Sequence, residues 1–296
     1  MANLKAIRVR LSSVKSTRQI TSAMKMVAAA KLRKAQDAIV RLRPYASKLN
    51  EIQAGLSAAL RDTEIENIYA PRKSGNGRVL MVVVTSNKGL CGAFNANVLR
   101  DVRRLMTEQY GEQMRKGDLW FMPVGKKGND VLKKLKCNIL EDHSDLYSGL
   151  SFRKGSQSCR QAGLELCLTG EFDTIEIVYN QFKNAAVQKL TEEIYLPVSV
   201  GESGSEAAVT TDYIYEPDQV SIVGELIPKT LRIKLYKALL DSFAAEHGAR
   251  MTAMHQATDN ATDLIRDLTL LYNKARQASI TNQLLEVVGG AEALNG

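Results

Sequence analysis

Two long helical patterns, one near each end of this 296-residue chain, constrain its fold more than any other feature. Residues 3–60 and 218–288 contain few helix-breaking residues, so each pattern extends far beyond the helices of an ordinary compact domain. At about 1.5 Å per residue, the first predicted helix is roughly 85 Å long. A globular domain of about 140 residues has a radius of gyration of only ~15 Å. We therefore predict that the two helices project from the rest of the chain and pair in antiparallel orientation.

Both patterns contain a narrow seam of apolar or small residues spaced alternately by three and four positions, as in helices that pack against a partner helix. The first seam occupies positions 4, 7, 11, 14, 28, 32, 35, 39 and 42. It is interrupted by the polar residues Arg18, Thr21 and Lys25, and Pro44 predicts a kink or a shift of register. The second seam occupies positions 244, 247, 251, 254, 258, 261, 265, 268, 272, 275 and 279. Its small and polar members favour close helix packing and contact with other subunits.

The excess positive charge belongs to the first helical pattern. Residues 1–48 contain twelve Lys or Arg residues and one acidic residue, Asp37, whereas the whole chain has a formal charge of +8. Such a basic segment is a solvated face, a nucleic-acid surface or a surface facing an acidic protein. Residues 1–44 contain no Phe, Tyr or Trp, although nucleic-acid modules usually place aromatic side chains among the charges for base stacking. The composition therefore favours a protein partner.

The middle of the chain has the alternating strand and helix pattern of an α/β domain with a mainly parallel, Rossmann-like sheet. Predicted strands cover residues 79–85, 119–124, 174–179 and 187–198, the last two joined by a hairpin through Asn184. Predicted helices cover residues 94–110, 128–136 and 151–169. We divide the chain into an N-terminal coiled-coil helix, a central α/β domain, a linker and a C-terminal coiled-coil helix, at residues 1–60, 71–200, 201–217 and 218–290.

No catalytic, cofactor-binding or metal-binding residues are predicted. The histidines stand alone at positions 143, 247 and 255, and His247 falls on the helical seam, which predicts a packed or subunit-facing ring.

The segment 125–128 (GKKG) follows a strand, as a phosphate-binding loop does, but lacks the GxxxxGK[ST] pattern. The segment 86–92 (SNKGLCG) also follows a strand, and we interpret it as a tight turn without a ligand. Two other functions stay open: an α/β nucleotide-binding enzyme with helical extensions, and a basic coiled-coil protein that binds nucleic acid.

The remaining composition predicts a protein without disulfides or a membrane span. The four cysteines form no CxxC pair and are interpreted as reduced, small apolar residues. The longest apolar run, residues 79–84, is far shorter than the roughly 20 residues of a membrane span. The basic N-terminal segment lacks the apolar run of a secretory signal, and its helical seam favours a retained structural helix over a transit peptide.

Three separated motifs resemble one family, the gamma subunits of F-type ATP synthases, which form the central stalk. They occur in the family's order and are residues 18–29 (RQITSAMKMVAA), residues 86–92 (SNKGLCG) with Asn95, and residues 275–281 (ARQASIT) through Glu286 to Gly290 and Ala291. The family usually has an acidic residue two positions after Thr281, where this chain has Gln283. The cysteine-bearing insertion of chloroplast-type members is absent near 201–217, which argues against thiol regulation of that kind. Because the N-terminal segment does not read as a transit peptide, the resemblance implies a bacterial-type subunit.

The resemblance implies a non-catalytic rotor subunit that binds no cofactor and no nucleic acid. Its terminal helices would form an antiparallel coiled coil inside a ring of three alpha and three beta subunits, with the epsilon subunit and the c-ring as further partners. Ion-driven rotation would be coupled to ATP synthesis or hydrolysis on the cytoplasmic side of the bacterial inner membrane. Positions matching ring contacts are Arg18, Met24, Lys25, Arg250, Arg276, Gln277 and Thr281, and those matching c-ring contacts are Tyr213, Tyr215 and Glu216.

Overall fold

A computed structural model of the chain describes residues 4–59, 77–144, 172–197 and 219–295. The predicted helix at 151–169 and the linker at 201–217 lie outside the described residues. The elements in chain order are α1 (Leu4–Ala59), β1 (Val79–Val84), α2 (Phe94–Glu108), α3 (Gly111–Lys116), β2 (Leu119–Val124), α4 (Lys126–Lys134), β3 (Asn138–Ile139), β4 (Thr174–Phe182), β5 (Gln188–Leu196) and α5 (Gln219–Asn295).

The chain divides into two compact units. One, here called the helix-pair unit, consists of Met1–Ala28 and Arg250–Gly296. The other, here called the α/β unit, consists of Ala29–Ala249 and contains the sheet together with the adjoining parts of α1 and α5. Each long helix is continuous through its internal proline, Pro44 in α1 and Pro228 in α5.

The α/β unit is built on a five-stranded sheet with the strand order β3-β2-β1-β4-β5. The central strand β1 pairs in parallel with β2 and with β4, and β3 pairs in parallel with β2. Only β5 is antiparallel, because it returns from β4 through a short hairpin at Asn184. The predicted mainly parallel α/β domain and its hairpin are therefore confirmed.

Both faces of the sheet are covered, which explains why β1 is a continuous apolar run rather than an alternating one. On one face Val79, Met81 and Val83 pack with apolar side chains of α2 and of Leu132 in α4. On the other face Leu80, Val82 and Val84 form a core with β4, β5 and the first part of α5. Every residue of β1 is buried.

The first part of α5 is the helix that covers this second face. Its core residues, spaced as one stripe of a helix, are Ile227, Leu231, Leu235, Ala238 and Leu239. The sequence analysis assigned this stretch to a projecting helix and did not predict that it would form part of the sheet core. The stripe itself is visible in the sequence, but an apolar stripe does not specify which surface it covers.

Within the helix-pair unit, α1 and α5 run in opposite directions. Arg8 of α1 donates a hydrogen bond of 2.9 Å to the hydroxyl of Tyr272, and Thr21 of α1 lies 2.8 Å from Thr258 of α5. Because the residue number rises along α1 while that of the partner falls along α5, the pair is antiparallel. The predicted antiparallel coiled coil of the terminal helices is thus confirmed.

The seam predicted from residue spacing describes this pairing well. In the second seam, Met254, Ala261 and Leu268 are buried, and the seam positions between and after them are half-buried. In the first seam, Ala28 is buried and Leu4, Ile7, Leu11 and Val14 are half-buried. The residues between seam positions are mostly exposed, as expected for a two-helix contact.

Candidate functional site

The carboxyl edge of the sheet is where a Rossmann-like fold binds phosphate, and in this chain the first turn of α4 occupies that position. The amide of Lys126 donates to Oδ1 of Asn87 at 2.9 Å. The amide of Lys127 donates to the carbonyl of Ser86 at 3.1 Å, and the amide of Gly128 donates to Oγ1 of Thr85 at 2.8 Å. The first three amides of α4 are therefore satisfied by the chain itself.

The space at this helix start is also filled. Gly125 has a φ of +119°, and a Cβ atom built on it would lie 2.1 Å from the carbonyl oxygen of Thr85. A Cβ on Gly128 would lie 2.7 Å from Oγ1 of Thr85. The two glycines of the GKKG segment thus allow α4 to pack directly against the end of β1. Their role is close packing, so the described residues leave no space for a phosphate between α4 and the end of β1.

The second glycine-containing segment, residues 86–92, is closed by its own hydrogen bonds. Asn95 donates from Nδ2 to Oγ of Ser86 at 2.8 Å and to Sγ of Cys91 at 3.3 Å, while its Oδ1 accepts from the amide of Ser86 at 3.0 Å. Cys91 is a buried free thiol inside this network. Ser86 and Asn95 are thus bonded to each other within the turn, while Asn87 bonds outside it to the amide of Lys126 and the carbonyl of Ser144.

A group of ionisable side chains lies where α2 packs on β4 and β5. Arg104 pairs with Asp101 at 2.8 Å and also with Glu192, and the hydroxyl of Tyr110 bonds to Glu176. Burial raises the pKa of Glu176, and the nearby Asp101 carboxylate adds to this increase. Burial also raises the pKa of Glu192, supported by its hydrogen bond with Asp101. No three His, Cys, Asp or Glu side chains within the described ranges are grouped so that they could hold a metal ion.

A second buried carboxylate, Asp241, lies on α5 within the α/β unit. Burial raises its pKa from 3.8 to about 6, with Glu193 adding to the increase and Lys237 and Arg43 opposing it. Six residues further along α5, the ring of His247 packs edge-on against Phe243 with 4.4 Å between centroids. The packed histidine expected at this seam position is therefore observed.

The helix-pair unit places three of the predicted contact residues on α1. Arg18 is exposed, while Met24 and Lys25 are half-buried. Of the three polar residues that interrupt the seam, Thr21 alone turns inward, with 9% of its surface exposed. The sequence analysis treated all three as a gap in the packing. The structure shows that Thr21 instead fills the seam through its hydrogen bond with Thr258.

The other predicted contact residues lie on α5 or outside the described residues. Arg276, Gln277 and Thr281 are exposed, and the hydroxyl of Thr281 donates to the carbonyl of Gln277 at 3.0 Å. Arg250 differs because only 7% of its surface is exposed. The predicted c-ring contacts Tyr213, Tyr215 and Glu216 lie outside the described residues.

The helix-pair unit also exposes many large apolar side chains that the sequence analysis did not single out. On α1 they are Val9, Ile20, Met26 and Val27. On α5 they are Leu264, Leu270, Leu271, Ile280, Leu284, Leu285, Val287 and Val288. All of them fall off the two seams, which is the signal that would have identified them from the sequence. A surface with this much exposed apolar area marks a site of protein or membrane contact. No described helix combines the length and apolar character needed to cross a bilayer.

Comparisons with known proteins agree on one family. A sequence profile described as ATP synthase matches residues 3–294. The ATP synthase gamma chain of Flavobacterium johnsoniae is 52% identical over 296 residues, covering all of both chains. The ATP synthase gamma chain of Christiangramia forsetii is 51% identical over 296 residues, again covering all of both chains.

The fold also resembles a solved rotor subunit. A chain of the Euglena gracilis mitochondrial ATP synthase rotor aligns with a TM-score of 0.62 and 22% identity, covering 94% of this chain and 98% of that one. This likeness supports the arrangement of two long helices with an α/β unit. The profile match and the sequence identity show that the chain belongs to the ATP synthase gamma chain family, the non-catalytic central-stalk subunits of that rotary complex.

Proposed function

We propose that this chain is the rotating shaft on which the alpha and beta subunits of a bacterial ATP synthase act. The observation that carries this proposal is the surface of the helix-pair unit, where large apolar side chains such as Ile20, Met26, Leu271 and Leu285 are exposed beside many basic ones. Such a surface requires a surrounding protein to cover it. A ring of three alpha and three beta subunits would cover it on all sides.

The basic residues of α1 give this contact its electrostatic character. By resemblance to the family, Met24 and Lys25 lie near an acidic loop of the beta subunits, and the exposed Arg18 lies seven residues, about two helical turns, before Lys25. Exposed ion pairs contribute only ~0–1 kcal/mol each. A contact of this strength guides the loop without locking the shaft at one angle, which suits a surface that must slide past three equivalent partners.

The contacts on α5 complete the proposed ring-facing surface. Arg276, Gln277 and Thr281 are exposed and available to the ring. Arg250 is proposed as the weakest of these contacts because little of its surface is accessible. Gln283 stands where the family usually has an acid, so any contact at this position is through an amide rather than a charge.

The other end of the chain would face the membrane sector. By family resemblance, Tyr213, Tyr215 and Glu216 contact the c-ring, and the epsilon subunit is a further partner. This arrangement makes the chain a peripheral component on the cytoplasmic side of the bacterial inner membrane. Its attachment to the membrane is through the complex.

Coupling follows from the asymmetry of the shaft. Three catalytic sites on the ring meet different faces of one helix pair at any moment, so their contact free energies with the shaft differ. A difference in contact energy between two states is what shifts a site from one nucleotide affinity to another. Rotation driven by ion flow would therefore change the affinity of each site in turn.

Affinity purification of the tagged chain from detergent-solubilised membranes of its host tests the proposal. We expect the alpha, beta and epsilon subunits and the c-ring to be recovered in fixed proportions, together with ATPase activity. Recovery of the chain alone would contradict the proposal. Binding of ATP or a dinucleotide by the purified chain would instead favour the nucleotide-binding enzyme, and steeply salt-dependent DNA binding would favour the nucleic-acid protein.

A further inference from the structure

The tip of the β4–β5 hairpin approaches the backbone of α5 very closely at Gly248. A Cβ atom built on Gly248 would lie 3.1 Å from the carbonyl oxygen and 3.3 Å from the Cα of Ala185, and 3.5 Å from Cε2 of Phe182. The two distances to Ala185 are shorter than nearly all Cβ contacts in proteins, whereas the distance to Phe182 is an ordinary contact. The hairpin tip therefore rests on the helix backbone itself.

The close approach of the hairpin explains why glycine occupies position 248 in the middle of a helix. Within a helix, glycine is about 1 kcal/mol less favourable than alanine because its backbone loses more conformational freedom. Gly224, in the same helix, is exposed, and a Cβ there would meet nothing within 4 Å. Gly248 is distinguished by the backbone packed on it.

A second segment of the α/β unit packs on the same side of α5. Cys91 and Phe94, from the turn after β1, form a buried cluster with Ala245, and Phe182 and Ala249 pack against its edge. Ala245, Gly248 and Ala249 are related by helical spacings of three and four and so share one face. We call these three residues the small-residue face.

The two segments that occupy the small-residue face are tied to each other and internally rigid. Asn180, near the end of β4, donates a buried hydrogen bond of 3.1 Å to the carbonyl of Phe94. The hairpin turn is fixed by Asn184, whose Oδ1 accepts from the amides of Ala186 at 3.0 Å and Val187 at 2.7 Å. The segments therefore act on the helix as one body.

We propose that the small-residue face is the joint through which turning force passes from the α/β unit to helix α5, with Gly248 as the positioning residue. The proposal rests on the function proposed above, in which the α/β unit is driven by the membrane rotor. From the joint, force would continue along α5 because the helix is unbroken to Asn295.

The physical reason is the difference between two kinds of contact. The stripe from Ile227 to Leu239 holds α5 on the sheet by burying apolar area, and this attraction is non-directional. Such a contact opposes separation more than it opposes sliding or rolling of the helix. The main-chain turn seated against Gly248 and the Cys91–Phe94 segment packed on Ala245 meet steric resistance in both of those directions, because close-packed atoms cannot pass through one another.

The test uses the assembled, membrane-bound enzyme with Gly248→Ala, and Gly224→Ala as the matched control. In inverted membrane vesicles, ATP hydrolysis and ATP-driven ion pumping are measured on the same sample. We expect Gly248→Ala to lower the ratio of pumping to hydrolysis by about threefold or more, since overpacking at a tight contact displaces the docked segment. Gly224→Ala should leave the ratio at the wild-type value.

Hydrogen exchange of the hairpin amides provides a readout that is independent of rotation. We expect amides 184–187 to exchange about threefold faster or more in Gly248→Ala, because the undocked turn opens more readily. A purely structural role would lower assembly, hydrolysis and pumping together and leave their ratio unchanged. An unchanged ratio in assembled Gly248→Ala enzyme overturns the proposal.

Phe182→Ala keeps the test decisive if Gly248→Ala enzyme does not assemble. This variant removes a ring from the contact instead of adding bulk, and it must lower the same ratio. A wild-type ratio of pumping to hydrolysis in the Phe182→Ala enzyme would overturn the proposal of a joint. Co-purification of the wild-type chain with the ring tests the proposed function separately, so the joint can fail while that function stands.

Discussion

The hydroxyl of Thr258 donates a hydrogen bond of 2.8 Å to the hydroxyl of Thr21, joining two helices across 237 positions of sequence. Each hydroxyl also lies near a main-chain carbonyl of its own helix, that of Arg18 at 3.1 Å and that of Met254 at 2.7 Å. The pair thus places two polar groups in the seam with all of their hydrogen atoms used.

We expect Thr258→Val to destabilise the helix pair by about 1 kcal/mol, the usual net value of a buried neutral hydrogen bond. Thr269→Val is the matched control, because the exposed hydroxyl of Thr269 bonds only to the carbonyl of Ile265 in its own helix. Thermal unfolding of both variants and of Thr21→Val measures the effect. A double variant that loses the full sum of the two single losses would show that the hydroxyls do not interact.

Gly125→Ala should prevent normal packing of α4 on β1. The new Cβ would lie 2.1 Å from a main-chain oxygen and would occupy a left-handed φ, so we expect a loss of roughly 3–5 kcal/mol. Gly92→Ala separates the two causes, since Gly92 also has a positive φ but has nothing within 4 Å. Its cost should be only ~1–2 kcal/mol. Equal losses in urea unfolding of the two variants would contradict the close-packing role of Gly125.

Asp241 should make the chain less stable as the pH rises. Its pKa is raised from 3.8 to about 6, so the folded state favours the protonated form and stability is lost as pH increases through 6. The full difference corresponds to roughly 3 kcal/mol. We expect Asp241→Asn to be more stable than the wild type at pH 8 by up to about this amount, and by about half of it at pH 5.

Chemical unfolding at both pH values measures this effect. Asp263→Asn, which removes an exposed carboxylate from the same helix, is the control. If the Asp241→Asn variant and the wild type had the same free energy of unfolding at pH 8, burial of the Asp241 carboxylate would not destabilise the fold.

Lys25→Glu should impair coupling more than assembly. Reversing the charge replaces attraction with repulsion at a surface contact, where ion pairs contribute ~0–1 kcal/mol, so we expect ATP synthesis to fall by about two- to fivefold. Lys34→Glu reverses an exposed charge elsewhere on α1 and should have little effect. The rate of ATP synthesis is measured in energised vesicles. An unchanged rate for Lys25→Glu would contradict the proposal that Lys25 contacts the ring.

Removing residues 285–296 should weaken the contact between shaft and ring. The deleted segment includes the exposed apolar residues Leu285, Val287 and Val288, which would lose their cover in the ring. We expect a severalfold lower ATPase rate or assembly yield, since each buried side chain of this size contributes about 1.5–3 kcal/mol. A full-length chain with Leu285→Ser and Val288→Ser distinguishes lost apolar contact from lost length. Wild-type rate and yield in the truncated chain would contradict the prediction.

Local periodicity was sufficient for most of the fold. The spacing of residues 4–14 and 254–279 gave the helix seams, and the β-branched run at 79–84 gave the central strand, because both signals depend only on neighbouring residues. The covering of the sheet by Ile227–Leu239 was not predictable in the same way. An amphipathic stripe shows that a helix is packed but carries no information about its partner.

The residues of the candidate site also divide into those with a signal in the local sequence and those that depend on a distant partner. The ring contacts at Arg18, Met24 and Lys25 come from the family motifs and stay predictions. Thr21 was misread as part of a polar gap because its hydrogen-bond partner lies in a helix far along the chain. Gly248 gave no signal at all, since a single glycine in a helix has the same appearance whether it meets solvent or a main-chain turn. Close approach of two backbones is a property of the tertiary structure alone.

The occupied amides at the start of α4 have a consequence for how this protein senses energy. Within the described residues, the first turn of α4 offers ATP and ADP no free amides, so changes in their concentrations would not act on the rotor at this turn. Nucleotide levels would reach it only as mechanical load, through the subunits that hold the reactive sites. At the start of α4, a Rossmann-like sheet thus presents no free amides to the nucleotide whose synthesis the family supports.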